Sequence, residues 1–328
     1  MTTAFAHRWI GSRGSHRTCS RSFHLTRHRF CRCPATMSEQ WVPPAKIEDL
    51  YHAMSGNKWS INRPTAGPRA EKDLPRGEAA LQLYSFATPN GRKVSILLEE
   101  LGVDYDAHYI SIMDSDQFNS GFVGANPNSK IPAMIDHDFA DGKPLALMES
   151  CAIMLHLCEK YNQFLPTDPR LRAECQQWLF WQAAGQGPIT GNFGHFMVYA
   201  PPGASAARDY GVARYGMDTQ RLLDVLERHL AGYGDFQGGS DMRGEGARKY
   251  LVGDQYTVAD MACYPWVAML IGTSYDREGQ ARSFDFLSVE KYSNVMSWAD
   301  RLKERPQVQR GCTVCSGGKG KPWLESAN

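Results

Sequence analysis

Asn126-Pro-Asn-Ser-Lys-Ile-Pro132 is the stretch from which the rest of the chain is read. Asn126-Pro127-Asn128 is a turn-forming cluster, because Pro fixes φ and Asn bonds to nearby backbone. The apolar run Ile131-Pro132-Ala133-Met134-Ile135 after it predicts a short strand. Proline has no N–H to give a β-ladder, so Pro132 suits the first positions of a strand and not its centre. Turns of this kind admit a cis X–Pro bond, and a cis Ile131–Pro132 bond swings Ile131 outward with its N–H and C=O exposed. An extended peptide can then pair with Ile131 as an added strand, while Lys130 offers a cation to a carboxylate. Farther on, Leu145-Ala-Leu-Met148 is another apolar strand that runs directly into Glu149-Ser150. Ser150 is expected to N-cap a helix beginning with Cys151 and Ala152, leaving free N–H groups aimed at an anion. Together these features predict a groove that holds a small acidic peptide by its backbone and its carboxylates.

Working outward, Leu81 to Phe86 reads as a strand with Leu81 and Leu83 on one face. Thr88-Pro89-Asn90 opens a helix, since Pro is favoured at the first helical position. Val94, Leu97, Leu98 and Leu101 follow at helical spacing, so one face is buried, and Gly102 ends the helix. Tyr105 to Ile112 alternates as a second strand, and a polar crossover with Asp114, Asp116 and Gln117 leads to the opening turn. Phe139-Ala-Asp-Gly142 is the hairpin between the third and fourth strands. The order βαβ–ββα predicts an α/β thioredoxin-like domain over residues 80–165. From Thr167 the pattern turns helical, and an all-α C-terminal domain is expected over 166–311. Arg172 to Ala184, Ala206 to Ala231, Met261 to Ile271 after the capping-box-like Thr257-Val-Ala-Asp260, and Val289 to Lys303 carry it. Pro306 is expected to close the last clear helix, and Gly232 to Gly246 to be a surface loop.

The flanks differ from this body. Residues 1–36 hold seven Arg, no Lys and no acid, which leaves 29 basic and 35 acidic residues, a charge of −6, for the remainder. A mildly acidic body argues against a nucleic-acid partner. The leader has the composition of a mitochondrial or plastid transit peptide, and the alternatives are a start at Met37, which implies a cytoplasmic protein, or a disordered tail. Residues 37–79 are Pro-rich and predict an extended arm, and 312–328 a tail. No apolar run reaches the length of a membrane span. Nine cysteines are too scattered for a disulfide framework. Cys151, Cys158, Cys175 and Cys263 read as small buried hydrophobes. Cys312-Thr-Val-Cys315 has redox spacing but stands in a Gly/Lys-rich stretch.

Asn126-Pro-x-x-Lys-x-Pro132 followed by Glu149-Ser150 resembles the glutathione site of the glutathione transferase superfamily. Leu81-Gln-Leu-Tyr-Ser-Phe-Ala-Thr-Pro-Asn-Gly-Arg-Lys-Val94 narrows the resemblance to the Nu class, whose members have glutathione-dependent disulfide-bond reductase activity. It extends from about Pro64 to about Gly311, and Ile61 to Pro68 resembles an N-terminal extension found in part of the class.

The first helix of thioredoxin begins with a cysteine, whereas Ser85-Phe-Ala-Thr-Pro-Asn90 has none, so thiol chemistry here must come with bound glutathione. Thr88 and Asn90 have the donors to favour a thiolate, and Thr88 is equally suited to cap the helix. The resemblance implies that Thr88 and Asn90 sit at the sulfur and that Gln117 and Lys130 hold the glycine end. It further implies that Ile131, ahead of Pro132, pairs with the peptide backbone, and that Glu149 and Ser150 bind the γ-glutamyl amine and carboxylate. Arg214 would meet a carboxylate of a second glutathione, walled by the aromatic segment Gly191 to Pro201 with His195. Tyr84 reads as structural, and Ser85 as a weaker alternative donor. The expected function is reduction of small disulfides by exchange with two glutathiones, with peroxidase or weak conjugating side activity. Glutathione is the co-substrate, small disulfides or electrophiles are the partners, and a homodimer is implied. No metal-ligand spacing occurs. The alternative is a non-catalytic interaction or regulatory module on the same fold.

Overall fold

The computed structural model describes residues 44–54, 63–200, 205–232, 248–272, 275–276 and 282–325. The expected leader, the start of the arm and nearly all of the Gly232 to Gly246 loop lie outside the described residues. Among those described, no helix is long and apolar enough to cross a membrane. Before position 51 the description covers 44–50, which runs into a 3₁₀ stretch, Ile47–Met54.

The described residues from 51 onward form one compact unit. Its sheet has the order β2-β1-β3-β4, from β1 (Leu81–Ser85), β2 (Tyr105–Tyr109), β3 (Ala133–Asp136) and β4 (Leu145–Met148). β1 pairs parallel with β2 and antiparallel with β3, and β3 pairs antiparallel with β4. Helix α1 (Pro89–Leu101) crosses between β1 and β2, α2 (Ser120–Ala125) precedes β3, and α3 (Ser150–Tyr161) follows β4. This is the expected thioredoxin-like α/β domain followed by helices. The Ile131–Pro132 bond is cis, as the turn suggested.

Local chemistry explains most boundaries. Thr88 caps α1 by accepting the Gly91 N–H at 3.3 Å, Pro89 takes the first position, and Gly102 closes the helix in the left-handed region at φ 64°. Gly91 itself has no substitute, since a Cβ there would stand 2.1 Å from the Phe86 carbonyl oxygen. The single buried face expected of α1 is an underestimate. Val94, Leu97 and Leu98 are buried, and so are Lys93 beside them and Ser95 and Ile96 on other sides. The helix is packed by α3 on one side and by the helical domain on the other.

That domain comprises α4 (Pro169–Trp181), α5 (Gly187–Gly194), α6 (Ser205–Leu230), α7 (Val258–Ile271), a turn α8 (Ser283–Phe286), α9 (Ser293–Lys303), α10 (Pro306–Thr313) and a final turn α11 (Pro322–Glu325). Two π-type turns, Gln182–Gln186 and His195–Tyr199, flank α5. The aromatic segment from Gly191 to Tyr199 is therefore helical. Thr257 and Asp260 form the expected capping box at the head of α7.

The C-terminus holds more structure than expected. Pro306 does end α9, but it also stands at the first position of α10, where its missing N–H costs nothing. The residues from 312 onward are docked as far as 325, not a free tail. Ser95 Oγ donates to the Gly311 carbonyl at 2.7 Å, Arg92 Nε to that of Cys312 at 3.2 Å, and the Ala87 N–H to that of Cys315 at 3.0 Å. Cys315 is buried and Lys321 lies over the Tyr105 ring, 3.7 Å from its centroid. Of the arm expected over 37–79, residues 63–79 carry no helix and only an isolated bridge at Ala70, whereas Ile47–Met54 is a 3₁₀ stretch and not extended. Tyr84 Oη donates to the Pro75 carbonyl at 2.8 Å, and the Arg69 N–H to that of Phe118.

Candidate active site

The N-terminus of α1 opens into a cleft of about 540 Å³ between the sheet domain and the helices, within the usual range for small-ligand sites. Thr88, Pro89 and Asn90 line it. The first turn of α1 carries no acid, so its N–H groups and dipole act on any anion brought there. Thr88 Oγ accepts from Gly91, yet a hydroxyl also has a proton to give. Capping and donation to a ligand are thus compatible at one side chain. Ser85 is buried away from the cleft lining, with its hydroxyl 3.5 Å from the Phe86 carbonyl oxygen that accepts from it. It is not the donor the sequence left open. Tyr84 is buried, stacked on His108 and tied to Pro75, in agreement with a structural role.

The turn 126–132 forms the second wall. Asn126 Nδ2 donates to the Lys130 carbonyl at 2.6 Å, and the Asn128 N–H donates to Asn126 Oδ1 at 2.9 Å. These bonds hold Lys130, Ile131 and Pro132 on the cleft lining. The ladder starts only at Ala133, so Ile131 stays outside it at the cleft edge. Gln117, from the crossover, also lines the cleft. Its Oε1 is buried and has no hydrogen-bond partner among the described residues.

Glu149 and Ser150 meet the cleft at the head of α3. Here the expectation needs a correction: Ser150 is the first residue of α3, and the capping position belongs to Glu149, whose side chain makes no capping bond. Glu149 sits at φ 65°, a region that costs a non-glycine residue free energy and that recurs at ligand sites. The Ser150 hydroxyl is instead engaged from below by Lys93 Nζ at 3.2 Å.

Sequence reasoning missed Lys93. It lies on α1, is 2% exposed, and lines the floor of the cleft. Its ammonium also bonds to Gln182 Oε1 of the helical domain. Burial pushes its pKa below the ordinary lysine value, against the pull of Cys151, Cys263 and Glu149. A signal existed, since Lys93 stands four residues before Leu97 on the apolar side of α1. Cys151 is another departure: it is only partly buried and lines the cleft, with Sγ 3.5 Å from Gln182 Oε1. Burial raises its thiol pKa, which leaves it a poor nucleophile. Cys158, Cys175 and Cys263 are buried as expected.

The helical domain supplies the far wall through Gln182, Gly187, Gly191, Tyr199, Trp266 and Tyr275. The π-type turn at Gln182–Gln186 brings Gln182 over Lys93, and such turns often occur at functional sites. Tyr199, not His195, reaches the cleft lining; His195 packs edge-on against Phe196. Arg214 does not line the cleft. Its side chain is 48% exposed and donates to Asp218 at 3.2 Å. All the other predicted site residues, Thr88, Asn90, Gln117, Lys130, Ile131, Pro132, Glu149 and Ser150, come together on one surface.

The chain is similar to known proteins in both sequence and structure. The family model for the glutathione S-transferase N-terminal domain matches residues 87–160, and that for the C-terminal domain matches 209–301. The chain is 42% identical over 285 residues to the disulfide-bond oxidoreductase YghU of Escherichia coli, covering 85% of this chain and 90% of the relative. Among solved structures, glutathione transferase YghU of Streptococcus pneumoniae, complexed with glutathione, superimposes with a TM-score of 0.71 at 39% identity, over 84% of this chain and 98% of that one. A glutathione transferase of Burkholderia graminis with two glutathione molecules bound per subunit gives 0.63 at 38% identity, over 73% and 89%.

Proposed function

The chain belongs to the glutathione S-transferase family, and we propose that within it this enzyme reduces small disulfides with two molecules of glutathione. The observation that carries the reading is the head of α1. It gathers Thr88, Asn90 and a helix N-terminus in the cleft with no cysteine in that first turn, and the thiol of Cys151, elsewhere on the lining, is kept protonated by burial. The site is built to hold a thiolate it does not own.

In this reading Thr88 and Asn90 donate to glutathione sulfur, and the α1 dipole favours its ionised form. Ile131 pairs with the peptide backbone ahead of Pro132. Gln117 and Lys130 meet the glycine end, and Glu149 and Ser150 the γ-glutamyl amine and carboxylate. The unpartnered Oε1 of Gln117 and Nε2 of Gln182 favour a polar ligand, because such atoms are costly when buried alone. One glutathione thiolate attacks a sulfur of the substrate disulfide, forming a mixed disulfide and expelling a substrate thiolate that takes up a proton. The second glutathione attacks the mixed disulfide at the glutathione sulfur. Oxidised glutathione forms and the second substrate thiol leaves. Arg214 would serve the second glutathione by turning from Asp218. Peroxide reduction and weak conjugation are side reactions of the same thiolate. Exposed Phe180 on α4 and Tyr210 and Met217 on α6 supply apolar surface for a two-fold dimer.

A coupled assay on the full chain tests the activity. Glutathione reductase and NADPH report oxidised glutathione formed from bis(2-hydroxyethyl) disulfide, while 1-chloro-2,4-dinitrobenzene reports conjugation. Disulfide turnover faster than conjugation is expected. Conjugation without disulfide turnover contradicts the reading, and no turnover of either leaves the non-catalytic module.

A further inference from the structure

Lys93 is a cation with no acidic partner within ion-pair distance among the described residues, although it is buried at the junction of both domains. Burying an ammonium without a counter-ion is costly unless something nearby requires the charge. What its bonds do is fix polarity. An ammonium can only donate, so the Ser150 oxygen accepts from Lys93 and the only proton of that hydroxyl is turned to another partner. The same holds at Gln182. Its Oε1 receives both Lys93 Nζ and Cys151 Sγ, which sets the amide orientation. Its Nε2 is then a donor, and that atom has no partner among the described residues. Both side chains line the cleft beside the N-terminus of α3, whose 12 residues bring a dipole and free N–H groups. One lysine thus makes donors of a serine and a glutamine at the site where a helix already favours an anion.

We propose that Lys93 is a positioning residue that, through Ser150 and Gln182, makes the head of α3 selective for a ligand bearing an α-carboxylate on its γ-glutamyl end. This inference rests on the glutathione reading and deepens it: it names the group that turns a shallow serine site into a charged one. The glycine end, under Lys130 and Gln117, is not affected by it.

The experiment compares glutathione with 4-aminobutanoyl-cysteinylglycine, the same tripeptide without the α-carboxylate, by calorimetric titration of the full chain. The wild type is expected to prefer glutathione by about 100-fold, the range of charge-assisted hydrogen bonds. In Lys93→Met the preference shrinks to about fivefold or less, mainly through weaker glutathione binding, with the analogue nearly unchanged. A lysine that merely packs the domains together would weaken both ligands alike, and that result overturns the proposal. Because Lys93→Met removes a buried contact and must be shown to fold by its melting curve, Gln182→Leu is a second variant. It removes one of the two aligned donors and is expected to lower the preference by about tenfold; an unchanged preference there also overturns the proposal. Wild-type protein that binds both ligands equally defeats this inference alone. Wild-type protein that binds neither defeats the glutathione reading and this inference with it.

Discussion

Thr88→Ala is expected to lower kcat/KM for disulfide reduction about 100-fold while leaving a folded protein. The activity loss follows from removing a hydroxyl donor aimed at a sulfur anion, the kind of contact whose deletion costs on the order of 10²–10³ in rate. The stability loss is smaller, because the same hydroxyl accepts one N–H, that of Gly91. Losing an N-cap of this kind costs about 1 kcal/mol, or a Tm decrease of about 2–4 °C for a domain this large. The two effects separate by substitution. Thr88→Ser keeps a hydroxyl for both tasks and is expected to retain most activity and stability. Thr88→Asn keeps capping oxygen but misplaces the donor, so it should hold its Tm and lose turnover. Coupled assays and melting curves on the three variants check this. Equal turnover in Thr88→Ala and wild type would remove Thr88 from the sulfur and leave it only a cap.

The second large effect is on the fold. Asp260 is fully buried at the head of α7, where its carboxylate accepts the N–H groups of Leu251 and Thr257, the Thr257 hydroxyl and the indole N–H of Trp298. Burial pushes its carboxyl up to about 6 even against these donors, which favour the charged form. Asp260→Ala strands several buried donors at once. The expected loss is about 3–5 kcal/mol, a large part of the stability of a typical domain. α7 also carries Trp266 and Met269 to the cleft, so binding should fail together with folding. Urea unfolding of Asp260→Ala and Asp260→Asn measures it. The asparagine variant keeps one acceptor and should fall between alanine and wild type. A loss under about 1 kcal/mol for alanine would mean that the capping box is not what anchors α7.

Elements set by neighbouring residues are legible in the sequence itself. Thr88-Pro89 and Gly102 bracket α1, and Thr257 with Asp260 opens α7, because caps are local chemistry. The turn 126–132 is local in the same way, whereas at the head of α3 the capping position falls to Glu149 and not to the expected Ser150. What the sequence hides depends on contacts distant in the chain. α2 (Ser120–Ala125) falls in a stretch that reads as crossover, because Gly121 and Gly124 are poor helix formers. Gly121 is demanded by the arm, since a Cβ there would lie 2.5 Å from the Leu74 nitrogen. The spacing of Lys93 from Leu97 hints at burial, but the partners that bury it, Ser150 of α3 and Gln182, are far away in the chain. Pro306 reads alike whether it stops a helix or starts one, and here it does both. Strand β2 stops at Tyr109, three residues short of the alternation, where the chain turns toward Gln117. Gln182, Tyr199 and Trp266 sit on helices whose facing depends on π-type turns that no periodicity announces.

In the proposed mechanism one subunit aligns two glutathiones, sulfur to sulfur, at the head of α1. Calorimetric titration of the full chain with reduced and with oxidised glutathione tests it most directly. Two reduced molecules per subunit, or a single disulfide-linked pair bound in their place, is the expected result. One reduced molecule per subunit, with oxidised glutathione unable to compete for the site, would contradict it.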